Sequence, residues 1–159
     1  MYKMHGFTLG STSIVIQSHI IGMFLPSLIT GRLIKKFGHS TIIYSGAMIY
    51  LICIFLSFYD QTFINYLIAL VLLGIGWNFL FIGGTSLLVL CYQENEKFKV
   101  QGFNDVLVFS IQSIASLTAG YSILKFSWNE INLACIPLVL LIILVSIRAD
   151  IYKKNIIDA

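Results

Sequence analysis

Charged side chains are scarce in this sequence. Of its 159 residues, only 11% are Asp, Glu, Lys or Arg and 58% are apolar, whereas soluble domains carry about a quarter charged residues. The chain therefore cannot cover a water-facing surface. It has 3 scattered cysteines, an odd number that excludes a disulfide scaffold, and its glycines follow no collagen-like period. A mean hydropathy of +0.90 indicates that lipid surrounds most of the chain.

Five stretches without charge predict the membrane crossings, because a charge at the bilayer centre costs about 2.5 to 3.5 kcal/mol. Open strands would leave backbone groups unpaired in lipid, so we expect helices. The longest stretch, 61–93, exceeds one crossing and must tilt, protrude or be interrupted, and its four glycines indicate either close packing or a bend. The sequence thus predicts an all-α polytopic membrane helix bundle, one transmembrane domain over residues 1–159, with about five spans: 9–31, 41–59, 63–91, 103–124 and 131–148.

Basic residues lie almost entirely on one side of the predicted membrane. Only Lys3 and Lys125 fall on the other side. The positive-inside rule therefore predicts an outside N-terminus and a cytoplasmic C-terminus. The net charge of +3 needs no nucleic-acid partner, since no basic patch is interleaved with aromatic residues. The residues on the predicted cytoplasmic side are Arg32, Lys35, Lys36, Lys97, Lys99, Arg148, Lys153 and Lys154.

The first predicted cytoplasmic connector reads GRLIKKFGHS, over residues 31–40. It resembles motif A of the major facilitator superfamily, a cytoplasmic loop between two helices. Lys35 stands where that family has Asp, and residues 39–40 replace its two basic residues. The five matching positions, called the motif A-like loop below, are Gly31, Leu33, Lys36, Phe37 and Gly38.

Three longer segments extend the resemblance over most of the chain. VIQSHIIGMFLPSLITG, GIGWNFLFIGG and KVQGFNDVLVF are similar to helices eight, ten and eleven of uncharacterised bacterial permeases in the superfamily. The resemblance implies a partial C-terminal half, helices eight to twelve, in a bacterial cytoplasmic (inner) membrane. It also implies movement of a small solute by alternating access, in a truncated or split permease.

Such a fragment would need partners besides the lipid bilayer, either a missing N-terminal transporter half or a homo-oligomer. The alternative is a small membrane-integral docking, assembly or regulatory protein without transport activity. No catalytic constellation or metal-binding motif occurs, so we expect no enzyme and no cofactor.

One helix of the predicted bundle carries a polar stripe. Gln112 and Ser116 each lie within about 20° of Asp105 around the helix at 100° per residue. Polar groups in lipid are costly, so the stripe is a candidate solute or ion pathway. The alternatives are that Asp105 caps its helix and pairs with Lys99 or a loop donor, and that Gln112 joins neighbouring helices.

Two further spans carry candidate pathway residues. Gln17 and His19 lie about 200° apart on the first span and so cannot face one cavity. His19 lies near mid-membrane, where an imidazole can relay protons, which predicts possible proton coupling; a packing role is the alternative. Pro26 predicts a kink in the same helix. Asn78 is a candidate on the third span, facing either solute or another helix.

Overall fold

The computed structural model describes residues 6–59 and 62–157. Lys3, which enters the predicted orientation, lies outside these ranges. The described residues contain no strand, and two short 3₁₀ turns, Val89–Cys91 and Glu94–Glu96, join the fourth and fifth helices. The α-helices are α1 Leu9–Phe24, α2 Ser27–Phe37, α3 His39–Tyr59, α4 Phe63–Leu88, α5 Lys97–Lys125 and α6 Trp128–Ile157.

The helices are suited to a membrane. Four of those described are long and apolar enough to cross a bilayer, and α1 with α2 make a fifth span if the bent pair is counted as one. The prediction of an all-α membrane bundle with about five spanning helices is confirmed. The orientation of the bundle and the residue limits of its spans stay predictions.

Pro26 separates α1 from α2. The two helices meet at an angle of 41°, because proline has no N–H to continue the helical hydrogen bonds and its ring crowds the preceding turn. The predicted kink is thus confirmed. The second helix ends at Gly38, whose N–H donates to the carbonyl of Ile34 at 2.8 Å. Gly38 has a φ of +87°, a conformation that glycine adopts without steric cost.

Helix α4 lies between α1 and α3, and glycines allow both contacts. A methyl group added to Gly74 would lie 2.5 Å from the His19 carbonyl oxygen of α1, and one added to Gly76 would lie 2.6 Å from the Tyr50 ring of α3. The backbones therefore approach as closely as small residues permit. Close packing explains three of the four α4 glycines; Gly84 has open space beside it.

The last two helices differ in how they pack. Helix α6 lies against α3 through an apolar cluster that includes Ala47, Ile54 and Val139. Helix α5 has no buried residue in the described chain. Both its polar and its apolar face are therefore left without cover from the other described helices. The long uncharged stretch 61–93, expected to tilt, protrude or be interrupted, holds α4, which ends at Leu88 and is followed by the 3₁₀ turn Val89–Cys91.

Candidate functional site

The side chain of Asn78 on α4 holds the two halves of the bent helix. Its Nδ2 group donates to the Met23 carbonyl and to Ser27 Oγ, each at 2.7 Å. Its Oδ1 atom accepts from Thr30 Oγ1, also at 2.7 Å. Asn78 and Thr30 are only 1% and 0% exposed. Asn78 was predicted to face either solute or a helix, and in the structure it is enclosed by three polar groups of α1 and α2.

The position of the break explains why Asn78 is needed there. Met23 lies in the last turn of α1, where a carbonyl has no donor from its own helix. In lipid an unpaired carbonyl costs several kcal/mol. The Asn78 amide supplies that donor, and every buried side-chain nitrogen or oxygen atom in the described residues has a hydrogen-bond partner.

His19 contacts α4 one turn before Gly74, where the backbones of α1 and α4 approach each other closely. Its Nδ1 atom lies 2.8 Å from the carbonyl oxygen of Leu70, and its side chain is half-buried. A carbonyl only accepts, so Nδ1 carries the hydrogen. The other ring nitrogen, Nε2, is not used by this bond. Gln17 lies two residues before His19 on α1, and its side chain is exposed.

The polar stripe of α5 is open on the surface of the described chain. Asp105, Gln112 and Ser116 are all exposed, and their spacing on one continuous helix keeps them on one face. Gln112 and Ser116 line a shallow hollow with Phe109. The stripe therefore remains a candidate pathway surface and is not buried between helices of this chain.

Asp105 does not cap its helix. Helix α5 begins at Lys97, after a turn in which Gln93 and Glu96 cap each other, so the capping alternative is wrong. The carboxylate instead accepts from the neighbouring Asn104 amide at 3.3 Å. It also lines a hollow of about 260 Å³ between α4 and α5, together with Thr85 and Gln101. Asp105 thus belongs to the cleft between these helices.

A row of aromatic rings joins the Asn78 region to α5. Trp77 and Phe81 are stacked, with centroids 4.7 Å apart and planes within 10°. Phe24 of α1 meets the Trp77 ring edge at 6.3 Å, and Phe109 of α5 lies 6.3 Å from Phe81. The sequence did not predict this row, because rings on three different helices give no sequence pattern.

Of the motif A-like loop, which was expected to connect two helices, only Gly38 lies in the turn between α2 and α3; its other four residues belong to the last two turns of α2. Gly31 belongs to α2 and has open space beside it, Leu33 is half-buried, and Gly38 makes the turn described above. Lys36 places its Nζ atom 5.0 Å from the centroid of the Phe37 ring. This contact between a cation and a ring is worth about 0.5 to 1 kcal/mol at an exposed site.

The sequence did not identify Asp150, a carboxylate of α6 that lies beside the motif A-like loop. Asp150 accepts from Ser40 through Oδ1 and from Tyr44 through Oδ2, the second bond measuring 2.8 Å. Both donors come from the first two turns of α3. A signal for this contact was present in the sequence. Ser40 and Tyr44 carry hydroxyl groups four residues apart on one helix face, and Asp150 lies at the same predicted membrane level.

The family of proteins to which the chain is similar agrees with this architecture. The family model described as Major Facilitator Superfamily matches residues 1–155. The riboflavin transporter RfnT of Brucella anthropi is 34% identical over 139 residues, which cover 87% of this chain and 35% of that protein. No solved structure matches.

Two proteins of Bacillus subtilis are also similar, the uncharacterized MFS-type transporters YddS and YdeG. YddS is 35% identical over 86% of this chain and 33% of its own length. YdeG is 36% identical over 82% of this chain and 31% of its own length. The chain thus spans about a third of the length of the curated relatives that it matches.

Proposed function

Because this chain belongs to the major facilitator superfamily, we propose that it forms one wall of a path for a small solute across a bacterial cytoplasmic membrane. Transport by alternating access needs two parts that rock against each other around a central site. We propose that helices outside this sequence, from a partner chain or a second copy, form the other part. The bilayer surrounds the whole assembly. The relatives' names offer no support for the docking or regulatory alternative.

The observation that carries this proposal is the bent helix that Asn78 holds together. Hinges and discontinuous helices are common features of carriers that open alternately to the two sides. Pro26 supplies such a break, and the buried Asn78 amide keeps the freed Met23 carbonyl hydrogen-bonded. A helix that only anchored a docking protein would need neither the break nor the buried amide.

Riboflavin is the first solute to test, because one relative carries that solute in its name. A flat ring system fits the chemistry of the aromatic row, where Trp77 and Phe81 already lie parallel and stacked rings attract one another. The polar side chains of α5 beyond Phe109, among them Gln112, provide groups for the polar edge of such a solute.

Uptake of radiolabelled riboflavin into a riboflavin-requiring bacterium tests this proposal. The chain is expressed alone and together with the part of the Brucella anthropi relative that it does not match. We expect saturable uptake in one of these arrangements and at least a fivefold loss with Trp77→Ala. The matched control is Ser45→Ala, which removes a hydroxyl that bonds only within α3. Uptake at the level of cells without the chain, in every arrangement, contradicts a riboflavin path.

We further propose that the coupling ion is a proton and that His19 carries it. The Nδ1 bond to Leu70 holds the ring in place, and an imidazole can relay protons. His19→Gln should leave downhill solute movement measurable but abolish its stimulation by an imposed pH gradient. Full stimulation in that variant would remove His19 from the proton path.

A further inference from the structure

We infer that Asp150 is a positioning residue, which sets how far along α3 the final helix lies. Both of its carboxylate oxygens are used, one by Ser40 and the other by Tyr44. Hydrogen bonds to a charged carboxylate are shorter and about twice as strong as those between neutral groups. The acid therefore holds two successive turns of α3 at once.

The apolar part of the contact between α3 and α6 is less specific for this register. It includes side chains around Ala47, Ile54 and Val139, and apolar attraction has no direction. Ser40 and Tyr44 lie about 6 Å apart along α3, because a helix advances 1.5 Å per residue. A slide of α6 along α3 would therefore carry the carboxylate away from at least one of them. The two hydroxyl groups of α3 thus favour this register of α6.

The register of α6 also shapes the surroundings of the motif A-like loop. Asp150 lines a cavity of about 350 Å³ together with Phe37 and Gly38 of that loop and with Ser146 of α6. A shift of α6 would move one wall of this cavity relative to the loop. The consequence for transport rests on the proposed function, whereas the helix register does not.

Cross-linking measures the register without any transport. Thr41 of α3 and Ala149 of α6 are exposed and line the same cavity. Both are changed to cysteine in the full chain, with the three native cysteines replaced by serine, and treated in membranes with a short bifunctional methanethiosulfonate. We expect Asp150→Leu to lower the cross-linked fraction at least threefold. Asp150→Asn should preserve it, because its amide accepts from Ser40 and donates to the Tyr44 oxygen.

Each outcome of that experiment decides the inference. Equal cross-linking in Asp150→Leu and the parent chain overturns it, and so does an equal loss in Asp150→Asn, because that variant keeps a partner for both hydroxyl groups. Ser45→Ala, on the same helix, is the control that should change nothing. Replacing both donors, as Ser40→Ala with Tyr44→Phe, should reproduce the loss seen with Asp150→Leu.

The transport measurement separates positioning from solute binding. In an assembly that takes up solute, Asp150→Leu should lower the maximal rate at least fivefold and leave KM within twofold, because Asp150 is not among the residues proposed to touch solute. A change in KM alone overturns the positioning role. Failure of all uptake, with the cross-linking result as expected, refutes the proposed function and leaves the register inference standing.

Discussion

Replacing Asn78 with leucine should destabilise the bundle more than any exposed polar substitution. The change removes three hydrogen bonds between helices, each 2.7 Å long in the protein. Such bonds in membrane proteins average about 0.6 kcal/mol, so their loss amounts to about 2 kcal/mol. Thr30 keeps a partner, the carbonyl of Pro26 at 2.8 Å, so the Met23 carbonyl is the group left unpaired. We expect a total loss of about 2 to 3 kcal/mol.

Unfolding in mixed detergent micelles, with increasing dodecyl sulfate, measures this loss. The fluorescence of Trp77 reports it, because that ring stacks on Phe81 beside the altered residue. The chain has 2 tryptophans, so the experiment uses a Trp128→Phe background. The control is Ser113→Ala, which removes an exposed hydroxyl bonded within α5 and should cost less than about 0.5 kcal/mol.

A double-mutant cycle makes this prediction refutable. Thr30→Val keeps the side-chain shape and removes the bond to Asn78, so its cost should fall in the Asn78→Leu background, where only the bond to the Pro26 carbonyl is still lost. Additive costs would show that the two side chains do not act together. An Asn78→Leu variant within about 0.5 kcal/mol of the parent would refute the role of Asn78 at the helix break.

Three more substitutions test the packing and the pathway. Gly74→Ala should lower the free energy of unfolding by about 1 to 3 kcal/mol, because its methyl group would lie 2.5 Å from a carbonyl oxygen of α1. Gly84→Ala is the control in the same unfolding assay and should be near neutral, because its methyl group would meet nothing within 4 Å. Gly38→Ala should lower the free energy of unfolding by about 1 to 2 kcal/mol, because Gly38 has a positive φ. Gly31→Ala, at a helical position, is the control and should cost less. Equal losses in the two variants would contradict the turn geometry. Gln112→Leu should lower solute uptake severalfold at unchanged stability, and unaltered uptake would remove it from the path.

Much of the fold follows from the distribution of charge and from single residues. Uncharged stretches mark the parts of the chain that lipid can surround, and Pro26 marks the point where a helix must bend. The start of α5 could not be found in this way. A helix can continue beyond the hydrocarbon into water, so charges mark the membrane boundary and not the helix end. For that reason Asp105 was expected at a helix start and lies instead in the third turn of α5.

The candidate site was less accessible to sequence reasoning. Asn78 and His19 were identified as costly polar groups, but their partners are main-chain carbonyls on other helices, which every residue offers. Asp150 was missed because its donors lie 106 and 110 residues away. Contacts of this length depend on how helices pack, and no local pattern specifies them.

If the chain forms one wall of a solute path, the polar stripe of α5 faces that path and not lipid. The most direct measurement is labelling of single cysteines by a charged, membrane-impermeant methanethiosulfonate in cells and inverted vesicles. Gln112→Cys should react, because a water-filled path exposes its thiolate. Ile114→Cys lies at nearly the same depth about 160° around the helix and should remain unlabelled. Equal labelling at both positions, or none at Gln112→Cys, would contradict the account.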